Sequence, residues 1–207
     1  MLTGKTAAIS VLGRTLTLYN QRHPGWTHPY PYLGHETLRT SGCGIFALCH
    51  ATQWLTGRAA APEALADFSV ACGARGDDGT DRPILLAALS GEGQAARLGF
   101  SCPNPALSND LKALNAFLAA AKGAALSNLR VGHIVCLTAA RQVNGVRQLL
   151  AIDSYGEADD PRLAGHVLGV EEGSSFSYEQ QGQHVMTHAA YWVEASLPRD
   201  FQLLYRS

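Results

Sequence analysis

The chain has 207 residues, 46% of them hydrophobic, and a net charge of −1 from 16 basic and 17 acidic side chains. The length suits one domain, and the hydrophobic fraction can form a sizeable core, which excludes a disordered chain. The balanced charge gives no electrostatic basis for binding nucleic acid or an anionic membrane, and no apolar run approaches the ~20 residues that span a bilayer. We therefore expect a single domain, 1–207, with neither a nucleic-acid partner nor a membrane span.

The N-terminal part, 1–40, is predicted to hold a strand or hairpin and then an irregular segment. Residues 8–20 partly alternate between apolar and polar types, whereas residues 21–35 contain three prolines and two glycines. The aromatic residues of the irregular segment are Trp26, Tyr30 and Tyr32. They either pin this loop to the body of the protein or line a cleft. No secretory signal is visible at the start, so a cytoplasmic compartment is the default expectation.

The next part, 41–123, is predicted to be helical. The four predicted helices cover 43–56, 62–72, 81–89 and 109–122. Apolar residues in the first recur close to i, i+3, i+4 and i+7, and Gly57 is placed to cap its C-terminus. Pro62 suits the first turn of the second helix, and Thr80 and Ser108 are predicted to cap the N-termini of the third and fourth.

The last part, 124–207, is predicted to be an antiparallel sheet. Asn144-Gly145 lies between two apolar runs, which is the strongest short signal for a β-hairpin. Further strands are predicted within 166–170, 184–195 and 201–206. Helices that precede antiparallel strands indicate an α+β fold, with the helices packed on one side of the sheet.

The cysteines do not suggest disulfides. They are Cys43, Cys49, Cys72, Cys102 and Cys136. Their odd number in a chain of this size makes reduced thiols the expectation, and the lack of a Cys-x-x-Cys motif gives no indication of a zinc ribbon or redox pair.

Cys43 lies between Gly42 and Gly44 at the predicted start of a helix. It is either a small buried residue or a nucleophile. A helix N-terminus carries roughly +0.5 charge, and a histidine partner there can lower a thiol pKa from ~8.5 to ~3.5–7.5. We expect the two glycines to let the backbone turn sharply and to leave room for a substrate carbonyl.

His133 and Asp153 are the predicted partners of such a thiol. His133 begins the first hairpin strand and Asp153 ends the second, so the hairpin brings them together, and the carboxylate can orient the imidazole. A two-residue loop at Asn144-Gly145 would by itself place His133 opposite Gly156 and turn Asp153 to the other face. A three-residue loop or a β-bulge is therefore predicted, since either shifts the register by one.

Three short motifs in this order resemble those of the papain-like cysteine peptidases. They are Ser-Gly-Cys-Gly at 41–44, Gly-His at 132–133 and Ile-Asp at 152–153, about twenty residues further on. Within that superfamily the chain is most similar to the bacterial double-glycine leader peptidase-like group, over roughly residues 19–155. The resemblance implies a papain-like fold, in which an N-terminal helical part packs its nucleophile helix on a C-terminal antiparallel sheet.

The resemblance also implies roles for individual residues. Cys43 would be the nucleophile, His133 the general base and acid, and Asp153 the residue that orients the imidazole. Papain-like enzymes usually place an oxyanion-hole glutamine about six residues before the cysteine, where this chain has Thr37. The nearest upstream glutamine is Gln21, which is our candidate oxyanion donor, and Thr37 or a backbone N–H alone is the alternative.

The implied function is that of a bacterial or phage thiol peptidase acting on a peptide or protein substrate through a thioester, with no cofactor and no metal. The same three residues would serve a deamidase, a cell-wall amidase or an acyltransferase. A rival from another class is a catalytically silent binding module of the same fold. His184 and His188 have the spacing of metal ligands only on a helix, and their strand-like surroundings argue against zinc. The sequence indicates no oligomeric state.

Overall fold

The structure is a computed structural model that describes residues 4–129 and 132–207, with every side chain in these ranges except that of Asp159. Residues 1–3 and 130–131 lie outside this part. The former belong to the N-terminal segment in which the sequence shows no secretory signal, and the latter precede Gly132. The helices are α1 (Leu38–Ser41), α2 (Cys43–Thr56), α3 (Pro62–Ala71), α4 (Arg82–Gly91), α5 (Gln94–Arg97) and α6 (Leu111–Ala119). The strands of the first two thirds are β1 (Thr6–Val11), β2 (Arg14–Tyr19), β3 (Arg75–Gly76), β4 (Gly79–Thr80) and β5 (Phe100–Ser101). Those that follow are β6 (Gly123–Leu129), β7 (His133–Val143), β8 (Val146–Ile152), β9 (Val167–Val170), β10 (Ser175–Gln180), β11 (Gln183–His188), β12 (Ala190–Glu194) and β13 (Pro198–Arg206).

Seven strands form one antiparallel sheet in the order β5-β13-β6-β7-β8-β12-β9. Three separate hairpins, β1–β2, β3–β4 and β10–β11, surround it. The predicted α+β class is therefore confirmed, as are the N-terminal hairpin and the hairpin at Asn144-Gly145.

Helix α2 is the central helix of the fold. All its residues from Gly44 to Leu55 are buried, because β2 packs on one side of it and β6 and β7 on another. The helix ends as predicted at Gly57, which adopts the left-handed conformation at φ 74° and donates its N–H to the Gln53 carbonyl. A helix enclosed in this way fixes the position of its first residue, Cys43.

The helices pack on both faces of the sheet, so the prediction that they lie on one side was wrong. Helix α2 packs on the face that carries Cys136. Phe117 and Leu118 of α6 pack on the opposite face, against Val135 and Leu137. The apolar side of α6 is evident in its sequence pattern, but that pattern does not determine which face of the sheet it covers.

Helices α4 and α6 begin later than predicted, because aspartates cap them. Asp81 accepts a hydrogen bond from the Ile84 amide at 3.0 Å, and Asp110 caps α6 in the same way. Thr80 instead belongs to β4, and Ser108 pairs with the backbone of β13. A carboxylate next to the first helical residue thus replaces both predicted caps.

The β7–β8 hairpin contains both a two-residue turn and a β-bulge. Asn144 and Gly145 have φ values of 48° and 81°, as a type I′ turn requires. Further along, Leu137 pairs with Ala151 while Ala139 pairs with Leu150, so the residue between them on β7 is extra. The predicted irregularity is therefore confirmed as a bulge, and it brings the start of β7 and the end of β8 onto one face.

Candidate active site

Cys43 is the first residue of α2, and its side chain is half-buried. Burial alone would raise the pKa of its thiol. The hydrogen bond and the charge of His133, together with the backbone N–H groups of Ile134 and Gly44, outweigh this and hold the pKa below its ordinary value. The Cys43 thiol therefore loses its proton at a lower pH than an ordinary cysteine does.

The other cysteines lack this environment. All five thiols are free, as expected for a chain without disulfides. Burial raises the pKa of Cys49 and Cys136, and it raises that of Cys102 to about 11. Cys72 is half-buried like Cys43, and its Sγ donates to the Ser69 carbonyl at 3.5 Å. Cys43 is therefore distinguished by its imidazole partner.

His133 connects the thiol to a buried carboxylate. Its Nε2 donates to Asp153 Oδ1 at 2.7 Å, which leaves Nδ1 for the interaction with Cys43. Burial lowers the His133 pKa, but the charge and hydrogen bond of Asp153, with those of Cys43, raise it well above its ordinary value. Burial likewise opposes ionisation of Asp153, yet His133 and nearby N–H groups hold the pKa of this carboxyl far below its usual range.

Four hydrogen bonds fix the Asp153 carboxylate, which is fully buried. Besides His133, Oδ1 accepts from the Tyr155 amide at 2.7 Å. Oδ2 accepts from the Glu157 amide and from the Tyr191 hydroxyl, both at 2.8 Å. Because both oxygens are constrained, the carboxylate can in turn fix the plane of the imidazole.

Tyr191 and Glu157 were not identified from the sequence. Tyr191 lies on β12, which joins β8 by a pairing between strands far apart in the chain. The amides of Tyr155 and Glu157 reach Asp153 through a turn, and an aspartate at a strand end is the local signal for such a turn. The turn was therefore recognisable in the sequence, whereas the contact with Tyr191 was not.

Gln21 lies in the cleft of Cys43, and its side chain is almost fully buried. Its Oε1 accepts from the Ser154 hydroxyl at 3.0 Å, and its Nε2 donates to the Arg39 carbonyl at 3.2 Å. One N–H of Nε2 remains, since a primary amide has two. Thr37 instead caps the N-terminus of α1 and is not among the cleft-lining residues.

The cleft around Cys43 has a volume of about 400 Å³. Asp77 and Asp78, in the turn between β3 and β4, form part of its wall. Tyr155 and Arg162 line it as well, so it contains both negative and positive groups. The wall of the cleft is therefore mainly polar.

The two glycines beside Cys43 have a different role from the expected one. Neither has a positive φ. A Cβ on Gly44 would lie 2.7 Å from Cβ of Thr80 and 3.3 Å from Cδ1 of Ile134, and one on Gly42 would collide with the Leu38 carbonyl. The glycines therefore allow close packing around the start of α2, and no positive φ requires them there.

His133, Asp153 and Glu157 also have potential metal-ligand atoms within 4.8 Å of one another. The donors do not fit a metal ion, because His133 Nε2 and both Asp153 oxygens are engaged in hydrogen bonds. Glu157 Oε1 is paired with Arg162 at 3.0 Å. These side chains are therefore arranged to hydrogen-bond with their neighbours rather than to coordinate an ion.

His184 and His188 are too far apart to share a metal ion. Both residues lie on strand β11, as their strand-like surroundings suggested. Residues four apart on a strand are separated by roughly 13 Å, far too much for a shared ion.

Comparisons of the chain with models of known protein families, with curated proteins and with solved structures found no match. In the described part of the chain, no helix combines the length and the apolar character needed to cross a bilayer.

Proposed function

We propose that the protein is a papain-like thiol hydrolase that cleaves a peptide or related amide bond. The observation that carries this proposal is that Cys43, at the start of a buried helix, shares one cleft with His133, whose imidazole is hydrogen-bonded to the buried Asp153 carboxylate and lowers the pKa of the Cys43 thiol. A nucleophile, a base and a group that orients the base are the minimum set for this chemistry. The packing of the nucleophile helix on an antiparallel sheet supports the papain-like assignment.

His133 would take the proton of Cys43, and the thiolate sulfur would then attack the substrate carbonyl carbon. As the new C–S bond forms, the carbonyl oxygen becomes an oxyanion. The imidazolium would next donate its proton to the leaving nitrogen, so that the C–N bond breaks and a thioester and an amine result. Finally a water molecule, deprotonated by His133, would attack the thioester, release the acid and restore the thiolate–imidazolium pair.

Two donors are available for the oxyanion. The amide of Cys43 lies in the first turn of α2, where backbone N–H groups have no intrahelical acceptor. Gln21 Nε2 lies in the same cleft and retains one N–H. Both groups are fixed before substrate binds, and preorganised donors of this kind contribute strongly to acyl transfer. The position of Gln21 supports an enzyme over a silent binding module.

Product analysis tests the proposal. The protein would be incubated with a diverse library of synthetic peptides, and new termini would be identified by mass spectrometry in ordinary water and in H₂¹⁸O. We expect peptides with new amino termini, and ¹⁸O in the new carboxyl groups. Transfer would instead place the acyl group on an amine, and a deamidase would release ammonia from intact peptides.

Matched variants identify the residues responsible. Cys43→Ala and His133→Ala should each reduce turnover by about 10³-fold or more, as loss of a nucleophile or its base does in enzymes that act through such a unit. Cys72→Ala removes another half-buried thiol and should leave turnover unchanged. Cleavage that persists in Cys43→Ala would overturn the proposal.

A further inference from the structure

We propose that a groove extending from the Cys43 cleft binds the leaving-group side of the substrate and selects a carboxylate there. This inference rests on the proposed function and specifies its substrate. We call the groove the leaving-group groove. Its defining residues are Arg22, Arg39, Tyr155, Ser177 and Tyr178.

The leaving-group groove adjoins the cleft. Thr40 and Tyr155 line both the cleft and a neighbouring cavity of about 500 Å³. Arg22, Arg39 and Tyr178 line that cavity and also a third one of about 380 Å³ along the β10–β11 hairpin. An extended chain can therefore run from the cleft to the hairpin.

The position of His133 determines which half of the substrate enters this groove. The imidazolium protonates the leaving nitrogen, so the leaving amine lies on the His133 side of the scissile bond. The Tyr155 ring packs beside His133, with ring centroids 5.9 Å apart, and the groove begins at Tyr155. The amine product, rather than the acyl group held on Cys43, therefore occupies the groove.

Arg22 is a fixed cation in this groove. Its guanidinium carbon lies 3.8 Å from the ring centroid of Tyr155 and 4.0 Å from that of Tyr178, and its Nε donates to the Tyr155 carbonyl. Its two terminal nitrogens have no hydrogen-bond partner among the residues that the structure describes. A planar guanidinium held in place with free N–H groups matches the geometry of a carboxylate.

Ser177 gives a second indication of a ligand. The residue lines the groove and is 1% exposed, and within the described ranges its Oγ has no hydrogen-bond partner. A buried hydroxyl without a partner is unfavourable unless a bound group satisfies it. Arg39 adds a second positive charge, whereas Glu179, which is exposed on the hairpin, adds one negative charge. Asp160, which is paired with Arg162, is close enough for its charge to interact with that of Arg22. The lining of the groove itself is net positive, and it includes a hydroxyl that no described residue satisfies.

The distances define where the carboxylate lies in the substrate. The contacts of Tyr155 with His133 and with Arg22 place the guanidinium carbon at most about 10 Å from the His133 ring centroid, which is roughly three residues of extended chain. The groove should therefore select an acidic side chain, or a terminal carboxylate, at the second or third residue after the scissile bond.

Two product-like peptides test the groove directly. The probes are H-Ala-Glu-Glu-Ala-NH₂ and H-Ala-Gln-Gln-Ala-NH₂, whose free amines correspond to the leaving nitrogen. Binding to the full chain carrying Cys43→Ala would be measured by calorimetry. We expect the acidic peptide to bind about tenfold more tightly or better, the effect of one charge-assisted hydrogen bond. Equal binding of the two peptides would overturn the inference.

Three variants locate the selectivity. Arg22→Gln should remove most of the preference for the acidic peptide. Ser177→Ala removes a hydroxyl that has no protein partner in the described part of the chain, so it should fold normally and still weaken binding of the acidic peptide severalfold. The matched control is Arg14→Gln, because Arg14 also stacks on an aromatic ring, that of Trp54, but does not line the groove. A preference that survives both Arg22→Gln and Ser177→Ala would refute the assignment.

The binding result and the turnover result can be separated. Cleavage that requires Cys43 but shows no preference for acidic residues after the scissile bond would leave the hydrolase proposal intact and overturn this one. Acid-selective binding that depends on Arg22, without any cleavage, would establish the carboxylate site and overturn the proposed hydrolase.

Discussion

Nε2 of His133 donates a hydrogen bond to Oδ1 of Asp153 at 2.7 Å, although His133 begins β7 and Asp153 follows the end of β8, 20 positions further along the chain. The two-residue turn at Asn144-Gly145 would by itself direct the two side chains to opposite faces. The extra residue on β7, Thr138, changes the register by one and brings them to the same face. The pairing of imidazole and carboxylate therefore depends on a bulge at a distance from both.

The hydroxyl of Tyr191 should contribute to both stability and activity. Tyr191→Phe removes one of the four hydrogen bonds of a fully buried carboxylate. Because hydrogen bonds to charged groups contribute ~1.5–3 kcal/mol, we expect the free energy of unfolding to fall by about that amount. Turnover should fall by up to about tenfold, since Asp153 then orients His133 less well. Urea denaturation and kcat/KM measure the two effects.

Tyr205→Phe is the matched control for this variant. Tyr205 is 36% exposed, and its ring packs against Phe117 outside the site. Stability and turnover should both be unchanged. Equal effects of the two substitutions would show that the contact between Tyr191 and Asp153 has no special importance.

Gly44 should not tolerate a side chain. In Gly44→Ala the new methyl group would contact Thr80 and Ile134 too closely, and such overpacking costs ~1–3 kcal/mol. The start of α2 would shift, so reactivity of Cys43 should fall as well. Gly91→Ala is the control, because Gly91, the last residue of α4, has open space around it, so alanine there should not destabilise the protein. A neutral Gly44→Ala would contradict the packing role of this glycine.

The local features of the site could be predicted from the sequence. Gly57 marked the end of α2, and Asn144-Gly145 marked the hairpin, because both signals depend on residues close together in the chain. Counting residues between His133 and Asp153 required an irregularity but did not locate it, since any residue of β7 could take the extra position. The bulge itself was predictable, and its place at Thr138 was not.

The features that depend on distant pairings could not be predicted. Tyr191 reaches Asp153 because β12 joins β8, and Arg22 is held between rings from two later segments. The apolar stripe of α6 likewise did not indicate the face of the sheet that it covers. Each of these contacts depends on the tertiary structure, which local patterns do not specify.

The pH dependence of turnover should have two limbs. The pKa of Cys43 is lowered and that of His133 is raised, so the thiolate and imidazolium coexist between the two values. As pH falls through the lower value the thiolate is protonated, and as pH rises through the upper value the imidazolium loses the proton that the leaving group needs. We therefore expect kcat/KM to decline at both extremes, with an acid limb below the ~8.5 of an ordinary thiol and an alkaline limb above the ~6.5 of an ordinary imidazole. A single rise centred near ~8.5 would contradict the pairing.

Glu157 should influence the alkaline limb. Burial raises the pKa of Glu157, yet once ionised its carboxylate interacts favourably with the His133 imidazolium. Glu157→Gln should therefore move the alkaline limb of kcat/KM to lower pH, because the imidazolium loses a stabilising charge. Asp160→Asn is the control, since Asp160 pairs with the same arginine, Arg162, but lies outside the three-residue cluster around His133. An unchanged limb in Glu157→Gln would exclude this influence.

The most direct test of the central claim is the rate at which iodoacetamide alkylates each cysteine at pH 7, followed by mass spectrometry of peptides. Cys72 is the internal comparison, because it is half-buried like Cys43 but its thiol is hydrogen-bonded to the Ser69 carbonyl. The proposed pairing predicts that Cys43 reacts about tenfold faster than Cys72 or better, and that His133→Ala removes this advantage. Alkylation of Cys43 no faster than that of Cys72, or an unchanged Cys43 rate in His133→Ala, would contradict it.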